Sequence, residues 1–565
     1  MQEPFIAHSR LKNGPWPAFE RMMERYLIHS DQYIYVENIG GSGDKGADVI
    51  GINASNKSIV IQCKFSENAT SLNASVVDDE LIKAMEYYEA DNGVVATNRR
   101  ITKKVTDRIN YHKGMGMNVA QLGYSKLEEL GEALNNHSTL HHKEPRDYQM
   151  EAFEIIRDNY LSHKKSSWFL MATGLGKTRV AALVIEDWLE RFEGSEIAFL
   201  VPTLPLVKQT ERALWPYLSK YTQTHVLTGT EKPSFGGGVT IATYDSFQSW
   251  IDTNTGKYDL IIFDEAHHAP SNTYSDFLKR ADSKFLLGMT ATPWRGDNRS
   301  LNDVFGEKCY EMSIVEGMQA GYLAKVDYQM YFDSINWEDL AEKLNEGITI
   351  KDLNKNLFVV PRDNAIADML KKMTDNGEIT QGIVFCPRKK HAELFASNLK
   401  SIGISANYYH SGLDRNDKVK ILKDFYSKKI KILVTVDALN EGYDVPDVDL
   451  VVFLKATHSQ RIFVQQLGRG LRISKNKSKV KVLDFITDFK RFTAGLAINQ
   501  ESSKIIRSES DEQKITYLDD IVKFNSSIPE SFKKSYVDWS KISDLDDNEK
   551  FKIEDLFPNN FIEDE

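Results

Sequence analysis

The stretch Met171–Thr178, MATGLGKT, decides the reading of this chain. It follows an apolar strand-like run, WFLMAT, and opens a helix, which is the context a phosphate-binding loop requires. Its glycines let backbone N–H groups turn toward phosphate oxygens. Lys177 is then placed for the β- and γ-phosphates, and the Thr178 hydroxyl for Mg2+. Met171 stands where the general G-x-x-x-x-G-K-T pattern has its first glycine. Farther along, LIIFDEAHH (Leu260 to His268) sets two carboxylates at the end of an apolar strand. Asp264 can hold magnesium through water, and Glu265 is placed to orient and deprotonate an attacking water. Two adjacent histidines lack the spacing of a zinc pair.

Outward from this loop, strand-like runs (IAFLVPT, VTIAT, LIIFDEA, KFLLGMTAT, then GIVFC, KILVTV, LVVFL) alternate with helical stretches between Tyr148 and Asp488. That pattern predicts parallel sheets with crossover helices, and the polar tokens fall at strand C-terminal ends, where open α/β sheets bind ligands. The whole chain has 565 residues, 41% hydrophobic and 27% charged, enough for three or four domains. Its net charge of -10 excludes a broad polycationic coat, so nucleic acid would have to bind in a confined groove. Three cysteines, Cys63, Cys309 and Cys386, make neither a disulfide framework nor a zinc pair. No apolar run is long enough to span a bilayer, and the start lacks a signal-peptide stretch, so a cytoplasmic protein without membrane partners is expected.

MATGLGKT, DEAHH, GMTATP (Gly288 to Pro293) and QQLGRGLR (Gln465 to Arg472) together resemble superfamily 2 helicases of the DEAH-box, XPB-like or restriction-motor type, over roughly Pro145 to Asp488. The resemblance implies two RecA-like lobes that close on ATP and Mg2+. It gives Arg146 and Gln149 of PRDYQ to the adenine, and Thr173, Gly174, Leu175, Gly176, Lys177 and Thr178 to the phosphates and metal. Thr203, Gln209, Thr243 and Thr435 would contact the nucleic-acid backbone, and Thr290, Thr292 and Gln465 would couple hydrolysis to grip. Gly442 and Asp444 match a second-lobe nucleotide motif, with Glu441 beside them. Arg469 and Arg472 would stabilise the transferring phosphoryl from across the cleft once the lobes close.

Nearer the start, GSGDKGADVIGINASNKSIVIQCKF (Gly41 to Phe65) puts Asp48 at the head of one strand and Gln62 with Lys64 on one face of the next. Residues two apart on a strand project together, and a hairpin can bring Asp48 beside them. An acid, a second oxygen ligand and a lysine can hold Mg2+ and activate water against a phosphodiester. The segment resembles the Mrr-like branch of the PD-(D/E)xK nucleases, in which Gln replaces the second acid, over Pro15 to Leu130. Glu20 is the candidate further acid, with Glu24 as fallback; Mn2+ is an alternative metal there.

The expected organisation is a nuclease domain over 1–136, a linker over 137–143, a first lobe over 144–325, a connecting segment over 326–378, a second lobe over 379–490, and a helical appendage with an acidic tail over 491–565. From Asp544 onward nine acidic residues stand against two basic ones. The expected function is an ATP-dependent translocase on double-stranded DNA coupled to an endonuclease in restriction or anti-phage defence. Recognition would come from a partner protein, and double-strand cutting from a homodimer. The alternatives are a DNA-repair helicase-nuclease and an RNA-remodelling ATPase whose N-terminal domain only binds.

Overall fold

The computed structural model describes residues 3–13, 15–40, 45–67, 71–139, 144–229, 231–233, 236–253, 258–269, 278, 280–281, 283–291, 300–332, 360–436, 448–454 and 479–486. The appendage and tail therefore lie outside the described residues. Three sheets stand among them, of five, seven and six strands.

The N-terminal sheet runs β1 (Tyr33–Asn38), β2 (Val49–Asn53), β3 (Ser58–Lys64), β4 (Asn92–Thr97) and β5 (Asn118–Leu122) in sequence order. Its first three strands are antiparallel and its last two pairings parallel. The β2–β3 turn closes because the Asn53 side-chain carbonyl accepts the Ser55 and Lys57 N–H groups, and Asn56 takes the left-handed conformation that asparagine tolerates. Register then pairs Val49 with Ile61, and the Asp48 N–H donates to the Ile61 carbonyl. Helices α1 (His8–Asn13), α2 (Trp16–His29), α3 (Lys83–Tyr87), α4 (Lys103–Gly114) and α5 (Tyr124–Ala133) belong to this unit. Phe19, Met23 and Leu27, each four residues from the next on α2, bury one stripe against Val49, Ile61 and Ala96.

The second sheet has the order β12 (Lys308–Met312), β6 (Ser166–Met171), β11 (Phe285–Thr290), β10 (Leu260–Phe263), β7 (Glu196–Val201), β9 (Gly238–Thr243), β8 (Thr224–Leu227). Every pairing is parallel. Its central strands are buried along their whole length, which is why they read as unbroken apolar runs. Helices α6 (Asp147–Leu161), α7 (Lys177–Arg191), α8 (Leu204–Leu214) and α9 (Tyr244–Thr253) accompany it.

In the third sheet the order is β13 (Lys325–Phe332), β18 (Lys479–Ile486), β17 (Leu450–Phe453), β14 (Gly382–Phe385), β16 (Ile432–Thr435), β15 (Ala406–Tyr409), again parallel throughout. The stretch expected as a connector over 326–378 departs from that reading. β13 pairs with β18 over eight residues, and the helix Val360–Asp375 buries Ile366, Ala367 and Leu370 in the core of this sheet. An edge strand paired only with a partner about 150 residues later carries little local signal, so the sequence read irregular there.

The N-terminal unit packs against both lobes. Toward the first, Arg21 pairs with Glu211 at 2.8 Å and with Glu231 at 2.6 Å, and Arg212 pairs with Glu24 at 2.6 Å. Arg25 donates to the carbonyls of Thr222 and Ser219 at 2.9 Å each. Trp215, just past α8, is buried among the α2 side chains. Toward the second lobe, the Lys423 ammonium donates to the carbonyls of Tyr88 and Glu89, and Tyr426 stacks on Tyr35 with ring centroids 4.4 Å apart.

Candidate functional site

The phosphate loop joins β6 to α7. Gly174 and Gly176 both hold φ near +90° (91° and 90°), a conformation open to glycine without strain. The loop is braced from α6: Gln149 and Tyr148 each donate to the Leu175 carbonyl at 2.7 Å, and the Gln149 side-chain oxygen accepts the Arg146 N–H at 3.0 Å. Any Cβ on Gly176 would strike the Gln149 amide. Arg146 in turn donates to the Tyr322 carbonyl at 3.1 Å and lies over its ring. The segment PRDYQ thus braces the loop, and Tyr148 and Tyr322 join it. Tyr148 could have been found, because it sits between the two residues that were singled out.

Across from the loop, the Lys177 ammonium donates to the Met171 carbonyl at 3.3 Å, with Thr173 and Thr178 on either side of it in sequence. Asp264 and Glu265 follow β10. Burial and the neighbouring Glu265 carboxylate raise the Asp264 pKa to about 7, with Lys177 acting in the opposite sense. Glu265 takes a left-handed backbone (φ 46°), and its N–H donates to Asp264 Oδ1 at 2.8 Å, so the turn presents both carboxylates at the strand end. Glu265 Oε2 lies 3.4 Å from His267 Nδ1, which is itself 3.0 Å from the Thr290 hydroxyl. A lysine on a glycine loop facing a half-buried carboxylate pair suits a magnesium-bound triphosphate, whose metal charge offsets the repulsion between those carboxylates.

The nucleic-acid candidates divide. Thr203 precedes α8 and Gln209 lies within that helix, both half-buried. Thr243 is committed to the start of α9: its hydroxyl donates to Ser246 Oγ at 2.8 Å and accepts the Ser246 N–H at 3.1 Å. Thr435 ends β16 wholly buried, which departs from the expected backbone contact. The family resemblance is what suggested that contact, and pairing of the strand end with both neighbouring strands buries the side chain. Thr292, Glu441, Gly442, Asp444, Gln465, Arg469 and Arg472 lie outside the described residues.

In the N-terminal unit the hairpin brings Asp48 and Gln62 together. Asp48 Oδ2 accepts the Gln62 side-chain amide at 2.8 Å and the Cys63 N–H at 2.6 Å. Both Asp48 and Gln62 are buried, and Gln62 Oε1 has no hydrogen-bond partner. Such an oxygen beside a carboxylate fits a divalent cation. Burial and the charges of Asp48 and Glu20 push the Cys63 thiol pKa well up, so Cys63 reads as a buried neutral thiol. Lys64 pairs with Glu80 at 2.6 Å, a carboxylate on the π-helical turn Val77–Ile82 that the sequence did not single out.

Glu20, buried on α2, sits against Gly40, where a Cβ would overlap its carboxylate; the Gly40 N–H donates to the Asp48 carbonyl at 3.0 Å. Asn38, a further buried residue missed in the sequence, donates its side-chain amide to Glu20 Oε2 at 3.4 Å. The fallback, Glu24, points elsewhere: it pairs with Arg212 and accepts the Asn38 N–H at 3.0 Å. Among the described residues no group of three or more His, Cys, Asp or Glu is arranged to hold a metal, so the donor set is two carboxylates and amide oxygen. No helix among them is long and apolar enough to cross a membrane.

Comparison with known families agrees with this division. Residues 142–295 match the family described as type III restriction enzyme, res subunit; residues 364–474 match the helicase conserved C-terminal domain; residues 11–118 match restriction endonuclease. The DNA 3'-5' translocase XPB2 of Sulfurisphaera tokodaii is 26% identical over 61% of this chain and 82% of its own length. The putative ATP-dependent helicase IRC3 of Saccharomyces cerevisiae is 24% identical over 60% of this chain and 51% of its own. An ATP-dependent type ISP restriction-modification enzyme, LlaBIII, solved bound to DNA, shares the fold with a TM-score of 0.51 at 16% identity, covering 94% of this chain but 42% of that one. The chain thus spans about half of IRC3 and less than half of LlaBIII. With the three family matches falling in order on the three sheets, the chain belongs to the superfamily 2 helicases and carries an Mrr-like restriction-endonuclease domain at its N-terminal side.

Proposed function

We propose that this protein is an ATP-driven translocase on double-stranded DNA whose N-terminal domain cuts phosphodiester bonds with a divalent metal, in restriction or anti-phage defence. The observation that carries the reading is the pairing of Asp48 with Gln62, with Glu20 against the adjoining Gly40 and Lys64 on the same strand as Gln62, in a chain that also holds the Lys177–Asp264–Glu265 site. In the motor, Lys177 binds phosphate, Asp264 takes the metal, and Glu265 accepts a proton from the attacking water. At the nuclease site Asp48, Glu20 and the Gln62 oxygen hold the metal, which supplies Lewis-acid activation of water. Lys64 orients that water or offsets charge on the phosphate. Support for a DNA substrate comes from the restriction-enzyme family matches and from the relative named a DNA translocase. Arg469 and Arg472 are proposed to complete the ATP site when the lobes close.

The test is a plasmid and linear-DNA assay with Mg2+ and ATP, beside ATPase measured with duplex DNA, single-stranded DNA and RNA. Lys177→Ala should abolish ATP turnover. Lys64→Ala should abolish cutting and leave DNA-stimulated ATPase in place. Cutting that persists in Lys64→Ala removes the nuclease assignment, and stimulation by RNA alone removes the DNA reading.

A further inference from the structure

The two carboxylates of α2 that lie one helical turn apart face different machines. Glu20 sits at the nuclease metal set, and Glu24 pairs with Arg212, a residue of the motor helix α8. Residues four apart on a helix share a face, so the two are mechanically one unit. The strand β1 closes the circuit between them, because the Asn38 N–H donates to Glu24 at 3.0 Å while its side-chain amide donates to Glu20 at 3.4 Å. Contact therefore runs unbroken from Arg212 through Glu24 and Asn38 to Glu20. The same helix α8 follows Thr203 and contains Gln209, the residues proposed to follow the DNA backbone.

We infer that Arg212, a residue of the motor lobe, is a positioning residue of the nuclease site: its ion pair with Glu24 fixes Asn38 and thereby the Glu20 carboxylate against Asp48. The inference rests on the nuclease reading proposed above. Burial leaves Glu24 few alternatives. Its side chain is 4% exposed, and burial raises its pKa against the effect of Arg212 and the Asn38 N–H. Without Arg212 the carboxylate must take a proton or turn, and either change weakens or displaces the acceptor that anchors Asn38. Outer contacts of this kind tune metal sites by orienting the residues that touch the ion. Around the pair, Arg21 with Glu211 and Glu231 keeps α2 seated on α8, so the nuclease carboxylates form one body with the motor's DNA-facing helix.

The experiment uses the full chain. Mn2+ binding is followed by electron paramagnetic resonance without nucleotide, and the nuclease component is identified as the binding lost in Asp48→Ala. Arg212→Gln should lower that affinity about tenfold or more. The kcat for DNA cutting should fall with little change in KM, and Arg212→Lys should recover part of both. Should Arg212→Gln fail to fold, the double variant Glu24→Gln with Arg212→Gln keeps a neutral amide pair and is read in the same way. Wild-type Mn2+ affinity and kcat in a folded variant overturn the inference, as does a rise in KM alone, which would make Arg212 a simple DNA contact. If the wild-type chain shows neither Asp48-dependent Mn2+ binding nor cutting, the nuclease reading itself falls and takes this inference with it.

Discussion

The His267 imidazole joins Thr290 to Glu265: its Nδ1 lies 3.0 Å from the Thr290 hydroxyl and 3.4 Å from Glu265 Oε2. All three follow or end adjacent parallel strands, since β10 pairs with β11 along its whole length. A change at the end of β11 therefore reaches the carboxylate proposed to face the attacking water. Thr290→Val keeps the side-chain shape and removes the hydroxyl, so His267 loses one hydrogen bond, about 0.5–1.5 kcal/mol, and keeps only the longer contact with Glu265. The ratio of DNA-stimulated to basal ATPase should fall roughly tenfold. A steady-state ATPase titration with duplex DNA checks it, and an unchanged ratio would separate Thr290 from coupling.

Gly176→Ala should damage the phosphate loop twice. The backbone there holds φ at 90°, which costs a side-chain-bearing residue about 1–2 kcal/mol, and the added methyl meets the Gln149 amide. Displacing Gln149 removes one of the two donors to the Leu175 carbonyl and disturbs the segment proposed to read the adenine. Nucleotide affinity, measured with a fluorescent ATP analogue, should drop at least tenfold, with a lower melting temperature.

Gln62→Glu probes the nuclease metal set by charge. The present amide donates to Asp48 at 2.8 Å and leaves its own oxygen for a cation. A glutamate there puts two carboxylates in contact without a metal, so the metal-free protein should lose about 1–3 kcal/mol of stability. Mg2+ or Mn2+ should restore it, and metal affinity should exceed wild type. Calorimetric unfolding with EDTA and with 5 mM-scale metal, on the order of typical working concentrations, reads both effects. A variant equally stable in both conditions would argue against a cation between these residues.

Acid should loosen the seat of the N-terminal domain on the first lobe. Burial, with Arg25 beside it, lowers the His29 pKa from 6.5 to about 3, and burial with Arg10 lowers His225 to about 4. Both imidazoles are neutral in the folded chain, so the unfolded chain binds more protons between these values and 6.5. Their contribution is complete above about pH 6.5 and is lost as pH falls; at pH 5 each costs about 2 kcal/mol. Urea midpoints at pH 7 and pH 5 should differ, and the double variant His29→Gln with His225→Gln should narrow the gap.

Much of the ATP site was legible because its chemistry is local. Gly174, Gly176, Lys177 and Thr178 are nearly contiguous, and Asp264 with Glu265 needs only an apolar strand before them. Asp48, Gln62 and Lys64 were legible for a related reason, since a hairpin and a period of two bring them to one place. What local pattern could not give was any partner chosen by packing. Asn38, Glu80 and Arg212 are ordinary polar residues until β1, the π-helical turn and α8 arrive beside the nuclease strands.

The sequence by itself determined the two parallel-sheet lobes, the triphosphate loop and the nuclease hairpin, because strand burial, glycine freedom and side-chain alternation act over a few residues. Tertiary structure decided which acid of α2 is left beside the proposed nuclease site. Glu20 and Glu24 lie one turn apart on the same helix, and the approach of Arg212 claims Glu24 while Glu20 sits against Gly40, whose N–H donates to the Asp48 carbonyl. It also gave β13 to the second lobe, where a partner far along the chain supplies the hydrogen bonds that make that stretch a strand.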